Sequence, residues 1–347
     1  MSLKVKHLLI KKNASITDAL KQLGKTGLRC LIVIENNKNY LGTITDGDIR
    51  RDLLIYKNFK RKIETIYNSK STYLTTSNFN KTNADKLIKK NFLPLIPIIN
   101  RNFKVQDYYN SLNKPHGIEE KNLVIIMAGG QGKRLQPFTS VLPKPLIPVR
   151  GKPVIVHIMN LFKSNLLNNF LVSINEKNKI LKSYLNELKV SYEINYLEEN
   201  KPLGTAGALK KIDKLKKPFF IVNCDNLFKI NPKDLLNFHM ENRNSLTLVA
   251  SIKKFNIPYG VCEVNNKLGR LLKMSEKPTQ SVLANTGFYV CDPGILKHLP
   301  KKKSFGMNEL IKSLQIKKKK IGVFPIKDIE WQDTGNWPEY MRAINQK

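Results

Sequence analysis

From residue 122 onward the chain alternates short, almost wholly apolar runs with stretches whose apolar residues recur every three or four positions. LVIIM (123 to 127), FLVSIN, SYEINYL, FFIVNCD and LTLVAS have the length and β-branched content of strands. Between them PVIVHIMNLFKS, ILKSYLNEL, TAGALKKIDKL and PKDLLNFHMEN carry helical spacing. Strands that are apolar on both faces need cover on both sides, so this order predicts an α/β unit around a mostly parallel sheet. Ligands of such sheets sit beyond the carboxyl ends of the strands. That directs attention to AGGQGKRL (128 to 135), behind LVIIM, and to the aspartate of NCDN (223 to 226).

The N-terminal third has a different rhythm. TDALKQLGKTGLRCLIVIEN (17 to 36) and TNADKLIKKNFLPLIPIINR (82 to 101) align without a gap at an offset of 65 residues, helix pattern on helix pattern and apolar strand on apolar strand. This implies a duplicated α+β unit. In the first copy LRCLIVI reads as a buried strand, ENNKN as a turn, YLGTIT as a second strand and TDGDIRRDLL as the entry to a short helix. Here the chain resembles CBS domains, which occur as tandem pairs and hold a nucleotide between the copies. The resemblance implies a ribose contact for Thr45 and Asp48, which by themselves read equally as a helix N-cap. The second copy continues RNFKVQDYYN and lacks the Gly-x-x-Thr-x-x-Asp run, so it is degenerate. The boundaries are 1–57 and 58–112 for the two copies and 113–121 for a linker, within the Pro, Gly and charge-rich SLNKPHGIEEK, followed by 122–347 for the α/β domain.

Charge changes the picture less than its size suggests. Sixty Lys and Arg against 27 Asp and Glu leave a formal +33, a balance that raises the question of nucleic acid or anionic membranes. Only ten of those cations are Arg, the residue suited to bidentate recognition of phosphates and base edges, which argues against a specific nucleic-acid reader. KKK (301 to 303) and KKKK (317 to 320) read as solvated faces. Cys30, Cys224, Cys262 and Cys291 show no metal or redox spacing and read as buried thiols in a reducing cytoplasm. The histidines show no metal spacing either, and His157, within an apolar helix, reads as a core histidine. The apolar runs are too short for a signal peptide or a membrane span, so a cytoplasmic protein is expected.

The glycine loop carries the chemistry. Glycines let backbone N–H groups approach phosphate oxygens, although a Gly-rich turn also serves tight packing alone. Its continuation distinguishes the two. AGGQGKRLQPFTSVLPKPLIPVRGKP combines G-G-x-G-x-R-L-x-P-x-T with P-K-P, and EENKPLGTAGAL, NCDNLF, EKP, NTGFYV and WQDTGNW follow in order. Over residues 122 to 345 this resembles the sugar-1-phosphate nucleotidyltransferases and implies their Rossmann-like fold. It also implies that Arg134 and Lys144 are catalytic cations, that Asp225 and Asp333 hold Mg2+, and that Ala128, Gly129, Gly130, Gly132, Glu199, Gly204 and Thr205 face the nucleotide. Gly260, Glu276, Lys277, Asn285 and Thr286 are implied on the sugar-phosphate side.

The implied reaction joins a sugar 1-phosphate to the α-phosphate of an NTP with loss of pyrophosphate. A carboxylate at Glu199 offers only acceptors, which suits the adjacent N1–H and N2–H2 donors of guanine and so favours GTP. The domain order resembles bacterial CBS-fused guanylyltransferases that form GDP-glucosamine for legionaminic acid, a component of surface glycans. GTP with glucosamine 1-phosphate is therefore the first expected pair. Mannose 1-phosphate with GTP, or a hexose 1-phosphate with TTP, UTP or CTP, stays open. A homo-oligomer and a regulatory nucleotide at the CBS pair are expected by the same resemblance. The rival readings are a nucleotide-sensing regulator that has lost turnover and a basic RNA-associated protein. The presence of Arg134, Lys144, Asp225 and Asp333 counts against the first rival.

Overall fold

The computed structural model describes residues 5–91, 93–110, 122–130, 132–165, 167–175, 179–188, 193–199, 201, 203–212, 215–265, 269–302 and 304–345. The chain forms two compact units, Met1–Lys114 and Pro115–Lys347. The expected linker lies outside the described residues.

In the first unit strand β1 (Leu9–Lys11) is followed by α1 (Ile16–Thr26), β2 (Cys30–Ile34), β3 (Tyr40–Thr45) and α2 (Asp46–Tyr56). Then come β4 (Leu74–Thr75), α3 (Lys81–Asn91), β5 (Ile96–Ile99) and β6 (Val105–Tyr109). Helices α1 and α3 differ at both ends by the same offset as the sequence repeat. The sheets repeat as well: β1-β2-β3 and β4-β5-β6 each have a parallel pair followed by an antiparallel one. Ser15 and Asp18 form a capping box at the start of α1, and Gly27 closes the helix in the left-handed region at φ 65°. The counterpart of α2 in the second copy would fall on residues 111–121, outside those described.

The second unit begins with β7 (Val124–Met127), the short α4 (Phe138–Val141), β8 (Pro148–Val149), β9 (Lys152–Pro153) and α5 (Val154–Lys163). It continues with β10 (Asn169–Asn175), α6 (Lys179–Glu187), β11 (Glu193–Glu199), β12 (Phe219–Asn223), β13 (Asn226–Phe228) and α7 (Pro232–Glu241). The last third holds β14 (Leu246–Asn256), the hairpin β15 (Val261–Val264) and β16 (Leu271–Ser275), β17 (Thr279–Cys291), α8 (Met307–Ile316), β18 (Ile321–Lys327), β19 (Trp331–Asp333) and α9 (Trp337–Asn345). The main sheet runs β11-β10-β7-β12-β17-β14-β18, parallel throughout except that β17 is antiparallel to both neighbours.

Period-2 geometry explains why the central strand β7 is apolar throughout. Val124 and Ile126 of β7 enter one core with Phe162, Phe170, Phe220 and Phe288. Ile125 and Met127 enter another with Phe219, Ile221, Leu310 and Leu314. Two local expectations fail. Within TAGALKKIDKL the described residues Gly207–Lys211 form a 3-10 segment, with Ala206, Ala208 and Leu209 fully buried, so packing against the sheet overrides the helical spacing there. Cys262 is exposed, unlike the other three thiols, and lies on the two-stranded hairpin β15–β16, whose residues are mostly exposed.

Candidate active site

The glycine loop leaves the carboxyl end of β7, and two of its glycines, Gly129 and Gly132, are required by what lies against them. A side-chain carbon on Gly129 would stand 3.0 Å from Glu199 Oε1. One on Gly132, whose φ is 66°, would meet Thr139 Cγ2 at 2.8 Å and Lys144 Cβ at 3.2 Å. The Thr139 hydroxyl donates to Gly132 O at 2.8 Å, tying the loop to the segment that carries Lys144. Gly130 faces open space and Ala128 is buried. Arg134 is exposed on the turn Lys133–Leu135, which buried Leu135 anchors. Lys144 opens a 3-10 turn between Pro143 and Pro145.

Asp225 and Asp333 meet through a short antiparallel pair. Strands β13 and β19 set Asn226 opposite Asp333, which brings the preceding Asp225 alongside. Asp225 O accepts from both the backbone N–H and the hydroxyl of Thr334, each at 2.8 Å. Lys144 Nζ lies 2.5 Å from Asp225 Oδ2. Gly335 marks where the groups converge. A side-chain carbon there would be 2.8 Å from Asp333 Oδ1, 2.9 Å from Asp225 Oδ2 and 3.2 Å from Lys144 Nζ. Burial raises the pKa of Asp333 from its ordinary value and neighbouring Asp225 adds to this, while the Gly335 N–H, Lys144 and Arg134 oppose it.

A cavity of about 560 Å3 opens beside these groups, with Arg134, Asp225 and Asp333 in its lining. Asn285, Thr286 and Thr205 also line it, whereas Gly260, Glu276 and Lys277 lie outside it, on and beside the β15–β16 hairpin. Glu276 Oε2 is 3.2 Å from where a Gly260 side chain would begin, so those two are neighbours. Lys277 adopts a φ of 43° and donates its N–H to Tyr259 O. Several expected site residues also have structural engagements. Glu199 is 3% exposed; it accepts from the Ser173 hydroxyl and, at 3.0 Å, from Leu203 N. Gly204, at φ 82°, lies against the Phe305 backbone, and Thr205 Oγ1 accepts from Met307 N at the start of α8. Thr286 donates to Val249 O, and the Asn285 amide donates to the Tyr289 hydroxyl at 2.8 Å. Burial pushes the Tyr289 phenol up to about 12, so it stays protonated.

Sequence reasoning gave no role to Asn223, Asn226, Tyr289, Glu309 or Trp331, which line the same cavity. Asn226 and Trp331 stood inside the quoted motifs NCDNLF and WQDTGNW, and that adjacency was the available signal. In the first unit Thr45 and Asp48 form a capping box at the start of α2, Thr45 Oγ1 accepting from Asp48 N at 3.2 Å and Asp48 Oδ2 accepting from Thr45 N at 2.9 Å. His157 hydrogen-bonds Val149 O at 2.7 Å.

Among the described residues no three His, Cys, Asp or Glu side chains cluster for an all-protein metal site. Two carboxylates lining this cavity nevertheless fit Mg2+, which takes one or two carboxylates and completes its shell with water and substrate phosphates. No helix among the described residues is long and apolar enough to cross a membrane.

Comparison with known proteins identifies the family of the second unit. The chain is 33% identical over 184 residues to a mannose-1-phosphate guanyltransferase of Hypocrea jecorina, covering 50% of each chain. It is 28% identical over 242 residues to a UTP–glucose-1-phosphate uridylyltransferase of Synechocystis, covering 63% of this chain and 62% of that one. The chain thus spans about half to three fifths of the length of these curated relatives. A crystal structure of a putative glucose-1-phosphate thymidylyltransferase from Bacillus anthracis shares the fold at 20% identity and a TM-score of 0.50, covering 64% of this chain and 93% of that one. Residues 5–55 match the CBS domain family. Residues 123–347 match the nucleotidyl transferase family, and with that match over most of its length the chain belongs to it.

Proposed function

We propose that the second unit transfers a nucleotidyl group from an NTP to a sugar 1-phosphate and releases pyrophosphate, with GTP as the nucleotide. The observation that carries this reading is the meeting of Lys144, Asp225 and Asp333 around Gly335 at the foot of a glycine loop. A phosphate oxygen of the sugar 1-phosphate forms a bond to the α-phosphorus as the α–β bridge breaks, and pyrophosphate leaves with the electron pair. A phosphate monoester with a second pKa near 6 is mostly dianionic at pH 7, so no general base is needed. Repulsion between the reactants is the obstacle. Arg134 neutralises the β- and γ-phosphates, and the N–H groups of Ala128, Gly129, Gly130 and Gly132 cradle them. Lys144 turns from Asp225 to the sugar phosphate and to the charge that develops on the α-phosphate. Asp225 and Asp333 would hold Mg2+, which would supply further neutralisation.

Glu199 keeps acceptor capacity beyond its two internal hydrogen bonds and offers it to the guanine N1–H and N2–H2 edge, with Gly204 and Thr205 bordering the base. Asn285 and Thr286, with Gly260, Glu276 and Lys277 on the hairpin side, serve the sugar phosphate. Domain order favours glucosamine 1-phosphate, for nucleotide-sugar supply to a surface glycan. A second reading, mannose 1-phosphate, is favoured by the names of guanylyltransferase relatives such as that of Hypocrea jecorina. The first unit binds a regulatory nucleotide near Thr45 and Asp48, and the protein self-associates. A matrix of NTPs against sugar 1-phosphates, read by pyrophosphate release with and without Mg2+, tests the reading. Fastest turnover with GTP and glucosamine 1-phosphate is expected. Release with no pair would overturn the assignment, and a different fastest pair would replace its substrates.

A further inference from the structure

Asp225 does not stand alone in the cavity wall. Asn226 Nδ2 donates to Asp225 Oδ1 at 2.9 Å, and Trp331 Nε1 donates to Asn226 Oδ1 at 2.8 Å. Asn226 is 4% exposed, so these hydrogen bonds form largely out of water, where they hold their direction best. The indole is braced in turn. Lys253 Nζ lies 4.9 Å from the centre of the Trp331 ring and 2.6 Å from Asp328 Oδ1. The register of β13 with β19 pairs Phe228 with Trp331 and Asn226 with Asp333, so the relay and the second carboxylate ride on one ladder.

The consequence is an asymmetry at each carboxylate. Asp225 has Oδ1 committed to Asn226 and Oδ2 turned to Lys144. Asp333 has Oδ1 committed to the Gly335 N–H at 2.7 Å. A carboxylate with one oxygen held by a protein donor meets a cation most readily through its other oxygen. Mg2+ and Mn2+ suit single-oxygen ligands in an octahedral shell, whereas Ca2+ takes six to eight oxygens at longer distances and commonly draws on two-oxygen chelation. We infer that Trp331 and Asn226 are positioning residues that hold Asp225 as a one-oxygen ligand, and so tune this site to small octahedral divalent ions over Ca2+. The inference rests on the reading of Asp225 and Asp333 as the ion-binding carboxylates.

The test is ion binding without turnover. Mn2+ affinity is followed by the loss of the free-ion EPR signal on titration with full-length protein, and Ca2+ affinity by its displacement of bound Mn2+. Trp331→Phe keeps the ring and removes only the donor, and Asn226→Ala removes the link to the carboxylate. Outer partners of metal ligands typically change metal affinity about ten- to a hundred-fold when lost. A weakening of that order for Mn2+ is expected in both variants, with a smaller or no loss for Ca2+, so that the Mn2+ to Ca2+ affinity ratio falls. A general loosening of the site would weaken both ions alike and leave the ratio unchanged. The inference is overturned if the ratio is unchanged in Trp331→Phe, which is the variant that decides should Asn226→Ala fail to fold. Absence of Mn2+ binding by the unaltered protein would also overturn it. Pyrophosphate release by the unaltered protein reports separately on the proposed reaction, so an active enzyme with an unchanged ratio refutes the relay alone.

Discussion

Asn226 sits directly opposite Asp333 in the antiparallel pair of β13 and β19, and that register brings Asp225 and Asp333 to a common point beside Gly335. Each strand is three residues long, too short to persist in isolation. What fixes the pair is its surroundings: Thr334 is clamped to Asp225 O, and Leu227 is buried in the core. The candidate catalytic geometry therefore depends on the finished core rather than on either segment alone.

Lys144→Ala removes the cation that pairs with Asp225 and, in the proposed reaction, meets the charge developing on the α-phosphate. Loss of one preorganised group of this kind costs on the order of 100- to 1,000-fold in turnover. Single-turnover pyrophosphate release is expected to fall by that much. The thermal midpoint, read in parallel, separates lost chemistry from lost folding, because Lys144 is 10% exposed and its removal leaves the Asp225 carboxylate without its cation.

Gly335→Ala tests the convergence point. The added methyl would lie within 3.0 Å of oxygens on both aspartates, closer than carbon and oxygen tolerate, so the carboxylates must separate. The expected result is a loss of divalent-ion affinity and turnover together. An alanine variant with unaltered Mn2+ binding would show that the two aspartates do not act at one place.

His239 should make the fold sensitive to mild acid. It is 2% exposed, its Nδ1 is 2.9 Å from Thr247 Oγ1, and burial lowers its pKa from 6.5 to about 4, with Asp292 opposing the shift. The unfolded chain takes up this proton near pH 6.5 while the folded chain resists it down to about pH 4. Its contribution to stability is therefore complete above pH 6.5 and is lost as pH falls from 6.5 towards 4. At about 1.4 kcal/mol for each pKa unit, the loss between pH 7.5 and pH 5 is about 2 kcal/mol. Denaturant melts across that range should show a shallower pH slope for His239→Gln than for the unaltered protein.

Thr45→Ala separates a structural duty from a ligand contact in the first unit. Removing the hydroxyl that accepts from Asp48 N deletes the cap of α2 and should cost about 1 kcal/mol of stability with no nucleotide present. Thermal melts with and without AMP, ATP or GTP check both duties. An equal loss in every condition assigns Thr45 to the helix cap alone. A larger loss with one nucleotide adds the ribose contact.

The alternation of strand and helix in the second unit, the repeat in the first and the residue types for phosphate chemistry are legible in the sequence. Each of these is local. Periodicity decides which faces are apolar, and LVIIM, FFIVNCD and LTLVAS became strands of the main sheet because both of their faces are covered. The family pattern also marked Arg134, Lys144, Asp225 and Asp333. Tertiary structure alone decided what those residues touch. Nothing in NCDN or WQDTG says that Trp331 will hold Asn226, since that bond exists only once β13 and β19 pair. Nor does the sequence say that Glu199 will be buried against Gly129 and Ser173, or that Cys262 will lie on a mostly exposed hairpin. Contacts between segments far apart in the chain follow from how the layers close over the core, and no local pattern encodes that closure.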